Sequence, residues 1–141
     1  EKREIRKLIE MDFIVICCGG GGIPVIREDR SFFGVDAVID KDLASAKLAQ
    51  EIGVDVFLIA TDTDGVALNF GTPKQKFLRR MSLTEAAHFF IEDQFPSGSM
   101  GPKVQAAMQF LQATGKRAVI TSISAIEAAV YGKAGTEIVN A

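Results

Sequence analysis

The chain has 141 residues, of which 48% are hydrophobic, and its 16 Lys and Arg against 18 Asp and Glu give a formal net charge of −2. This length and hydrophobic content predict a single domain with a buried core. The near-neutral balance, without a basic block, argues against nucleic acid or an anionic membrane as a partner, and no apolar run approaches the roughly 20 residues of a spanning helix. We therefore expect a cytoplasmic protein in which the adjacent Cys17 and Cys18 are buried, reduced thiols.

The first sixty residues alternate predicted helices with short apolar strands. Hydrophobic periodicity predicts, in chain order, a helix over Glu1–Glu10, strands over Phe13–Cys18 and Val35–Ile39, a helix over Asp40–Ile52 and a strand over Val54–Ala60. Wholly apolar strands are typical of strands that are buried on both faces of a sheet. Gly53 follows the second helix at the position where a left-handed backbone commonly ends a helix.

The remaining residues predict a less regular excursion followed by regular elements. The stretch Thr61–Thr72 is rich in Asp, Gly and Asn, and with a short edge strand over Lys76–Met81 it predicts a hairpin or an excursion from the main sheet. The other predicted elements are helices from Ser82, from Pro102 to Gly115 and from about Ser124 to Tyr131, and strands over Ala118–Thr121 and Thr136–Val139. Ser82 with Glu85 has the pattern of a capping box, and Pro102 would stand at its favoured first helical position.

Short apolar strands that alternate with amphipathic helices predict an α/β fold with a mostly parallel sheet and helices on both faces. Such sheets bind ligands in the loops that follow the carboxyl ends of their strands. The loops to consider are therefore Gly19–Pro24, Asp40–Asp42, Thr61–Gly65 and Ser97–Lys103.

A run of four glycines, Gly19–Gly22, follows the first predicted strand. A backbone without Cβ atoms can wrap closely around an anion, which favours ligand approach over a merely flexible turn. The run is not a dinucleotide fingerprint, because Pro24 and Val25 stand where that motif requires its last glycine.

The segment Gly98–Lys103 combines two glycines, free amides and an ammonium group at a predicted helix start. A cation is unfavourable in the first turn of a helix, and a bound anion would reverse that sign. The chemistry is that of phosphate binding, although no Walker A motif is present. On the residues alone, a surface lysine after a loop remains an equal alternative.

Two carboxylates flank one ammonium group at Asp40, Lys41 and Asp42. Asp40 as an N-cap and Asp42 as a first-turn acid would account for the aspartates. The functional interpretation is that Lys41 neutralises a transferring phosphoryl group while an aspartate fixes a lysine in position. For Asp62 and Asp64 a turn is favoured over a calcium loop, and His88 is given no role.

Four stretches together resemble carbamate kinase, of the amino acid kinase superfamily. They are GGGGIPV from Gly19, GVDAVIDKDLAS from Gly34, ATDTDGVALNFGTP from Ala60 and SGSMGPKVQAA from Ser97. The resemblance implies a three-layer αβα sandwich and the reversible transfer of a phosphoryl group between carbamoyl phosphate and ADP. The products are ATP and carbamate, which decomposes to ammonia and carbon dioxide, and magnesium accompanies the nucleotide.

The resemblance also implies roles for particular residues. Lys41 would contact the transferring phosphoryl group, and Asp42 would orient the catalytic lysines. The residues that would hold or border the nucleotide are Lys103, Met100, Gly101, Thr61, Asp62 and Leu68. The residues that would lie near the reacting phosphate are Gly20, Gly21 and Gly22.

The resemblance is to the carboxyl-terminal, nucleotide-binding half of the family's fold, so we expect residues 1–141 to be one domain of a longer kinase that forms a homodimer. The resemblance also implies an amino-terminal half, with a second glycine-rich loop and a further lysine that contacts the phosphoryl group. That half has no counterpart in these 141 residues. A non-catalytic nucleotide-binding or regulatory module with the same fold is the alternative expectation.

Overall fold

A computed structural model describes residues 1–140, which are built around a four-stranded sheet. In chain order the elements are α1 (Lys2–Glu10), β1 (Val25–Glu28), β2 (Ser31–Gly34), α2 (Lys41–Ile52), β3 (Val56–Thr61), β4 (Ala67–Leu68), β5 (Lys76–Phe77), β6 (Arg80–Ser82), α3 (Leu83–Ile91), α4 (Met100–Thr114), β7 (Arg117–Ser122), a 3₁₀ turn (Ile123–Ala125), α5 (Ile126–Val130) and β8 (Thr136–Val139). No helix among these residues is long and apolar enough to cross a membrane.

The main sheet has the strand order β3-β7-β8-β6. The outer pairs β3–β7 and β8–β6 are parallel, and the central pair β7–β8 is antiparallel. The predicted mostly parallel sheet is therefore confirmed, with one antiparallel pair that the sequence pattern did not distinguish. Two short antiparallel hairpins, β1–β2 and β4–β5, lie outside this sheet.

Helices lie on both faces of the sheet, as an αβα sandwich requires. On the core face, Ala118 and Ile120 of β7 pack in one buried cluster with Val104 and Phe110 of α4. On the other face, Arg117 at the start of β7 donates to the Val130 carbonyl at the end of α5. Alternate residues of β7 thus face different layers, as the two-residue period of a strand dictates.

The helix ends follow the predicted local chemistry. Asp40 caps α2, since its Oδ1 accepts from the amides of Asp42 at 2.8 Å and Leu43 at 3.0 Å. Ser82 and Glu85 form the predicted capping box of α3. Gly53 and Gly115 end α2 and α4 in the left-handed conformation, at φ 81° and 68°.

The predicted strands over Phe13–Cys18 and Val35–Ile39 are wrong. Neither segment pairs with a strand among residues 1–140, and Ile14 and Val38 are 97% and 95% exposed. An apolar run indicates that a segment is suited to burial, but a strand forms only where a neighbour takes up its backbone N–H and C=O groups.

The cysteines are also less buried than expected. Cys17 is exposed and Cys18 is partly buried, and both are free thiols. They end the segment Phe13–Cys18. They are exposed because this segment has no partner strand among residues 1–140 to cover it.

Residues 25–34 form a hairpin that the sequence pattern did not predict. Val25–Glu28 pairs with Ser31–Gly34, and Asp29 supplies the left-handed residue of the turn at φ 54°.

Three predicted boundaries differ from those observed. The edge strand Lys76–Met81 divides into β5, which forms the predicted hairpin with β4, and β6, which is the edge of the main sheet. Helix α4 begins at Met100, so Pro102 is its third residue, where a missing N–H still breaks no helical bond. The helix predicted from about Ser124 is a 3₁₀ turn followed by α5.

Candidate functional site

A cleft of about 160 Å³ lies between the carboxyl end of β3 and the amino-terminal turn of α4. Its lining residues are Thr61, Asp62, Thr63, Ala67, Phe70, Gln94, Pro96, Ser99, Met100 and Lys103. The loops that follow β3 and precede α4 were both predicted as ligand loops, and the structure brings them together at one site.

A partly buried ion pair connects this cleft to α2. Lys103 Nζ donates to Asp42 Oδ2 at 2.9 Å, and the two side chains are only 14% and 12% exposed. The pair joins the second residue of α2 to the fourth residue of α4, so it fixes two helix starts relative to each other. Asp42 offsets the unfavourable position of a cation at a helix start, and Lys103 still presents its ammonium group to the cleft.

The glycine run packs against the turn that enters α2. Gly21 has φ 146°, and a Cβ atom there would stand 2.5 Å from the Ile39 carbonyl oxygen and 3.7 Å from the Lys41 amide nitrogen. Only glycine fits this approach. The structure therefore brings the predicted phosphate loop Gly20–Gly22 beside Lys41, which is exposed and has no ion-pair partner among residues 1–140.

The amino-terminal amides of α4 differ in availability. The amides of Ser99 and Gly101 both donate to the Pro96 carbonyl, at 3.2 and 3.0 Å. Gly101 is thus held against the preceding loop, where a Cβ atom would lie 3.1 Å from the same oxygen. The Met100 amide has no such acceptor in the described chain, and Ser99 makes no side-chain cap. Met100 rather than Gly101 offers a free N–H at this helix start.

The end of β3 places polar side chains on the cleft wall. Thr61 Oγ1 donates to Asp62 Oδ1 at 3.1 Å, and Thr63 Oγ1 donates to the Gly65 carbonyl at 3.1 Å. Leu68 is partly buried against the hydrophobic core and is not among the residues that line the cleft. Its place beside a nucleotide stays a prediction.

Phe70 and Gln94 are among the lining residues that lie outside the ligand loops predicted from the sequence. Phe70 presents a ring that is 56% exposed, and Gln94 accepts a hydrogen bond from the Asn69 amide through Oε1 at 2.9 Å. An aromatic residue within a loop of Gly, Asn and Thr was the one available signal for Phe70. No signal in the sequence pointed to Gln94, because its position depends on a contact with Asn69, which is 25 residues away.

The pKa of one thiol beside the glycine run is perturbed. Burial raises the pKa of the Cys18 thiol, and the neighbouring Cys17 raises it further. A raised pKa favours the protonated thiol, which is the less reactive form of Cys18.

The lining of the cleft combines two kinds of chemistry. Phe70, Ala67, Pro96 and Met100 contribute apolar side chains, whereas Lys103 contributes a cation and Met100 a free backbone amide. This arrangement suits a ligand that has one flat, weakly polar part and one anionic part.

Comparisons with known proteins identify the family of this chain. The amino acid kinase family model matches residues 1–122. Carbamate kinase from Pyrococcus furiosus is 48% identical over 138 residues, which are 98% of this chain and 44% of that protein. Carbamate kinase from Thermococcus kodakarensis is 49% identical over 132 residues, which are 94% of this chain and 42% of that protein.

Solved structures agree with the sequence relatives. Carbamate kinase from Giardia lamblia bound to AMP-PNP superimposes with a TM-score of 0.92 at 44% identity, covering 100% of this chain and 45% of that one. The chain thus spans less than half the length of the relatives it matches. It belongs to the amino acid kinase family and is a homologue of part of the carbamate kinases.

Proposed function

We propose that this chain supplies the nucleotide-binding part of a carbamate kinase-type phosphotransferase, which transfers a phosphoryl group reversibly between carbamoyl phosphate and ADP. The observation that carries the proposal is the Lys103–Asp42 pair, which holds an ammonium group at the cleft where two helix starts meet. The homology to carbamate kinases supplies the reaction class.

In this proposal the nucleotide base packs against the apolar side chains of the lining, Phe70 among them, and the phosphates are bound by Lys103 and the Met100 amide. Cations and free helix-start amides stabilise phosphate oxygens without a dedicated motif. Thr61 and Asp62 border the nucleotide at the carboxyl end of β3.

Magnesium fits this site as an ion carried by the nucleotide rather than as a resident metal. No group of three or more His, Cys, Asp or Glu side chains in the described part of the chain could hold a metal ion. Asp62 is the carboxylate on the cleft wall, and magnesium is commonly bound by one or two carboxylates together with phosphates and water. When bound, the ion neutralises phosphate charge.

The transfer itself needs positioning and charge neutralisation more than covalent chemistry. A terminal oxygen of ADP attacks the phosphorus of carbamoyl phosphate, and the bond from phosphorus to the carbamate oxygen breaks. Lys41 neutralises charge on the transferring group, with Gly20–Gly22 leaving room for that group beside it. Asp42 acts as a positioning residue, since it holds Lys103 rather than the substrate.

A non-catalytic nucleotide-binding module is the second candidate. It is favoured by the length of the chain, which is less than half that of the matched carbamate kinases. Both candidate functions place a nucleotide in the same cleft, and only the kinase also catalyses phosphoryl transfer.

Calorimetric titration with magnesium ADP tests nucleotide binding. We expect a saturable signal that Lys103→Ala weakens by about tenfold or more, because one charge-assisted phosphate contact is lost. Lys116→Ala is the matched control, since Lys116 pairs with Asp55 at the surface away from the cleft. An absence of binding at millimolar nucleotide would contradict both candidates.

A coupled assay of ATP formation from carbamoyl phosphate and ADP separates the two. Turnover that Lys103→Ala abolishes supports the kinase, whereas binding without turnover supports the module. In the kinase, Lys41→Ala should reduce turnover more than ADP affinity.

A further inference from the structure

A second cleft, of about 280 Å³, lies on the face of the sheet opposite the core. It is bounded by the start of β6, the middle of β8, the start of β7 and the turn 132–135. Its side chains include Arg79, Arg80, Arg117 and Glu137, and we call it the arginine pocket. Nothing in the proposed nucleotide chemistry uses it.

The strand register places these side chains together. Arg80 stands opposite Glu137 in the β6–β8 pair, and Glu137 stands opposite Val119 in the β8–β7 pair, so their side chains share one face of the sheet. Arg117 precedes Val119 by two residues and points to the same face. Arg79 precedes β6 and also lines the pocket, and its carbonyl accepts from the Glu137 amide at 3.0 Å.

The charges in the pocket do not balance. Arg117 neutralises Glu137 with a contact of 3.2 Å, and its remaining nitrogens donate to the carbonyls of Val130 and Ala129 at the end of α5. The guanidinium group of Arg117 is therefore already occupied by contacts within the fold. Arg79 and Arg80 both line the pocket and have no acidic partner within residues 1–140, so two positive charges of the lining are not compensated.

We propose that the arginine pocket binds a small dianion of the phosphate class through Arg79 and Arg80. A planar guanidinium group matches the oxygens of an oxyanion with two parallel hydrogen bonds, and a dianion would balance the two uncompensated charges. The charged side chains that line the pocket suit an anion better than an apolar ligand.

The pocket is separate from the nucleotide cleft. Thr61 at the cleft pairs with Ser122 at the carboxyl end of β7, whereas Arg117 begins that strand. Five residue steps along a strand span about 16 Å. Phosphate bound at the arginine pocket would therefore not compete directly with the nucleotide phosphates, and this inference stands whether or not the proposed kinase activity holds.

Titration of the chain with inorganic phosphate, followed by amide chemical shifts, tests the proposal. We expect saturable shifts at Gly132 and Gly135, which line the pocket. The double variant Arg79→Ala/Arg80→Ala should weaken this binding by about tenfold or more, because both charge-assisted contacts are lost. Both side chains are exposed, so the variant should keep its fold, and an unchanged thermal unfolding midpoint checks this.

Two further variants make the result specific. Lys76→Ala removes one exposed positive charge from the neighbouring hairpin and should leave the phosphate affinity unchanged. Lys103→Ala removes the cation of the nucleotide cleft and should also leave the shifts at Gly132 and Gly135 unchanged. Binding that is lost in Lys103→Ala alone would place phosphate in the nucleotide cleft and overturn the proposal. Absence of saturable shifts at Gly132 and Gly135, or equal affinity in the double arginine variant, would overturn it as well.

Discussion

Lys103 and Asp42 carry both a structural and a chemical role. Their 2.9 Å contact holds the starts of α2 and α4 together, and with 14% and 12% exposure water replaces little of a lost partner. A nearly buried charge is costly when it stands alone, so the pair is more informative than either residue.

A double-mutant cycle should reveal this coupling. We expect Asp42→Leu or Lys103→Met alone to lower the free energy of unfolding by about 2 to 4 kcal/mol, because each leaves one charge unpaired. The double variant should be more stable than at least one single variant, because no charge is left behind. Urea unfolding of the four proteins gives these values. Additive losses would mean that the pair is solvated rather than coupled.

Gln94 has an orientation that its neighbour fixes. A backbone N–H can pair only with the side-chain oxygen, so the contact with Asn69 turns the Gln94 NH₂ group away from that loop. Gln94 lines the cleft, where this group can donate to an acceptor on a nucleotide base.

Gln94→Glu separates this role from a purely structural one. Glutamate keeps an acceptor for the Asn69 amide but loses the donor, so we expect unchanged stability and about five- to tenfold weaker ADP binding, the size of one lost hydrogen bond. Gln109→Glu, on the exposed side of α4, is the control for added charge. Calorimetry and thermal unfolding make the comparison, and equal ADP affinity in both variants would exclude Gln94 as a base contact.

At the scale of elements, the glycine run shows at which position the fold requires a residue without a Cβ atom and at which it does not. Gly21 is pressed against the Ile39 carbonyl at φ 146°, whereas Gly20 has no heavy atom within 4 Å of an added Cβ. The two adjacent residues therefore form a natural matched pair.

We expect Gly21→Ala to destabilise the chain by about 1 to 3 kcal/mol, because the new methyl group forces the loop away from the entrance to α2. Gly20→Ala should stay within about 0.5 kcal/mol of the original chain. Thermal unfolding of both variants measures the difference. Similar midpoints would show that the run is a loose turn and that its contact with α2 contributes little.

Local signals explain which elements were predictable. The caps at Asp40 and Ser82 and the helix ends at Gly53 and Gly115 are set by chemistry within a few residues, and all four positions were predicted correctly. The strand over Phe13–Cys18 was not, because pairing depends on a neighbour that no local pattern reports.

The contrast between local and long-range determinants also applies to the site. The loops around Asp42, Thr61 and Lys103 could be located from the position of ligands in parallel sheets. The 61-residue contact between Lys103 and Asp42, and the contact of Gln94 with Asn69, could not, because each depends on how two helices or loops pack.

At the scale of the whole molecule, the core and the amino-terminal segment contrast sharply. Met81, Phe110 and Ile120 are completely buried, whereas Ile14 and Ile16 are each 97% exposed. Exposed apolar residues along one extended segment favour association, since they lose contact with water only by meeting another surface.

We therefore expect the chain to self-associate as its concentration rises, and Ile14→Ser/Ile16→Ser to reduce that association. The free energy of unfolding should change by less than about 0.5 kcal/mol, because neither side chain packs against the core. Ile120→Ser is the contrasting variant, and it should cost about 3 kcal/mol or more, since it removes a buried side chain and introduces a hydroxyl group. Sedimentation velocity measures the association, and urea unfolding measures the stability. If the double variant associates as strongly as the original chain, the contact surface lies elsewhere. If it unfolds more easily, the segment packs in solution against a part of the chain that would then bury both isoleucines.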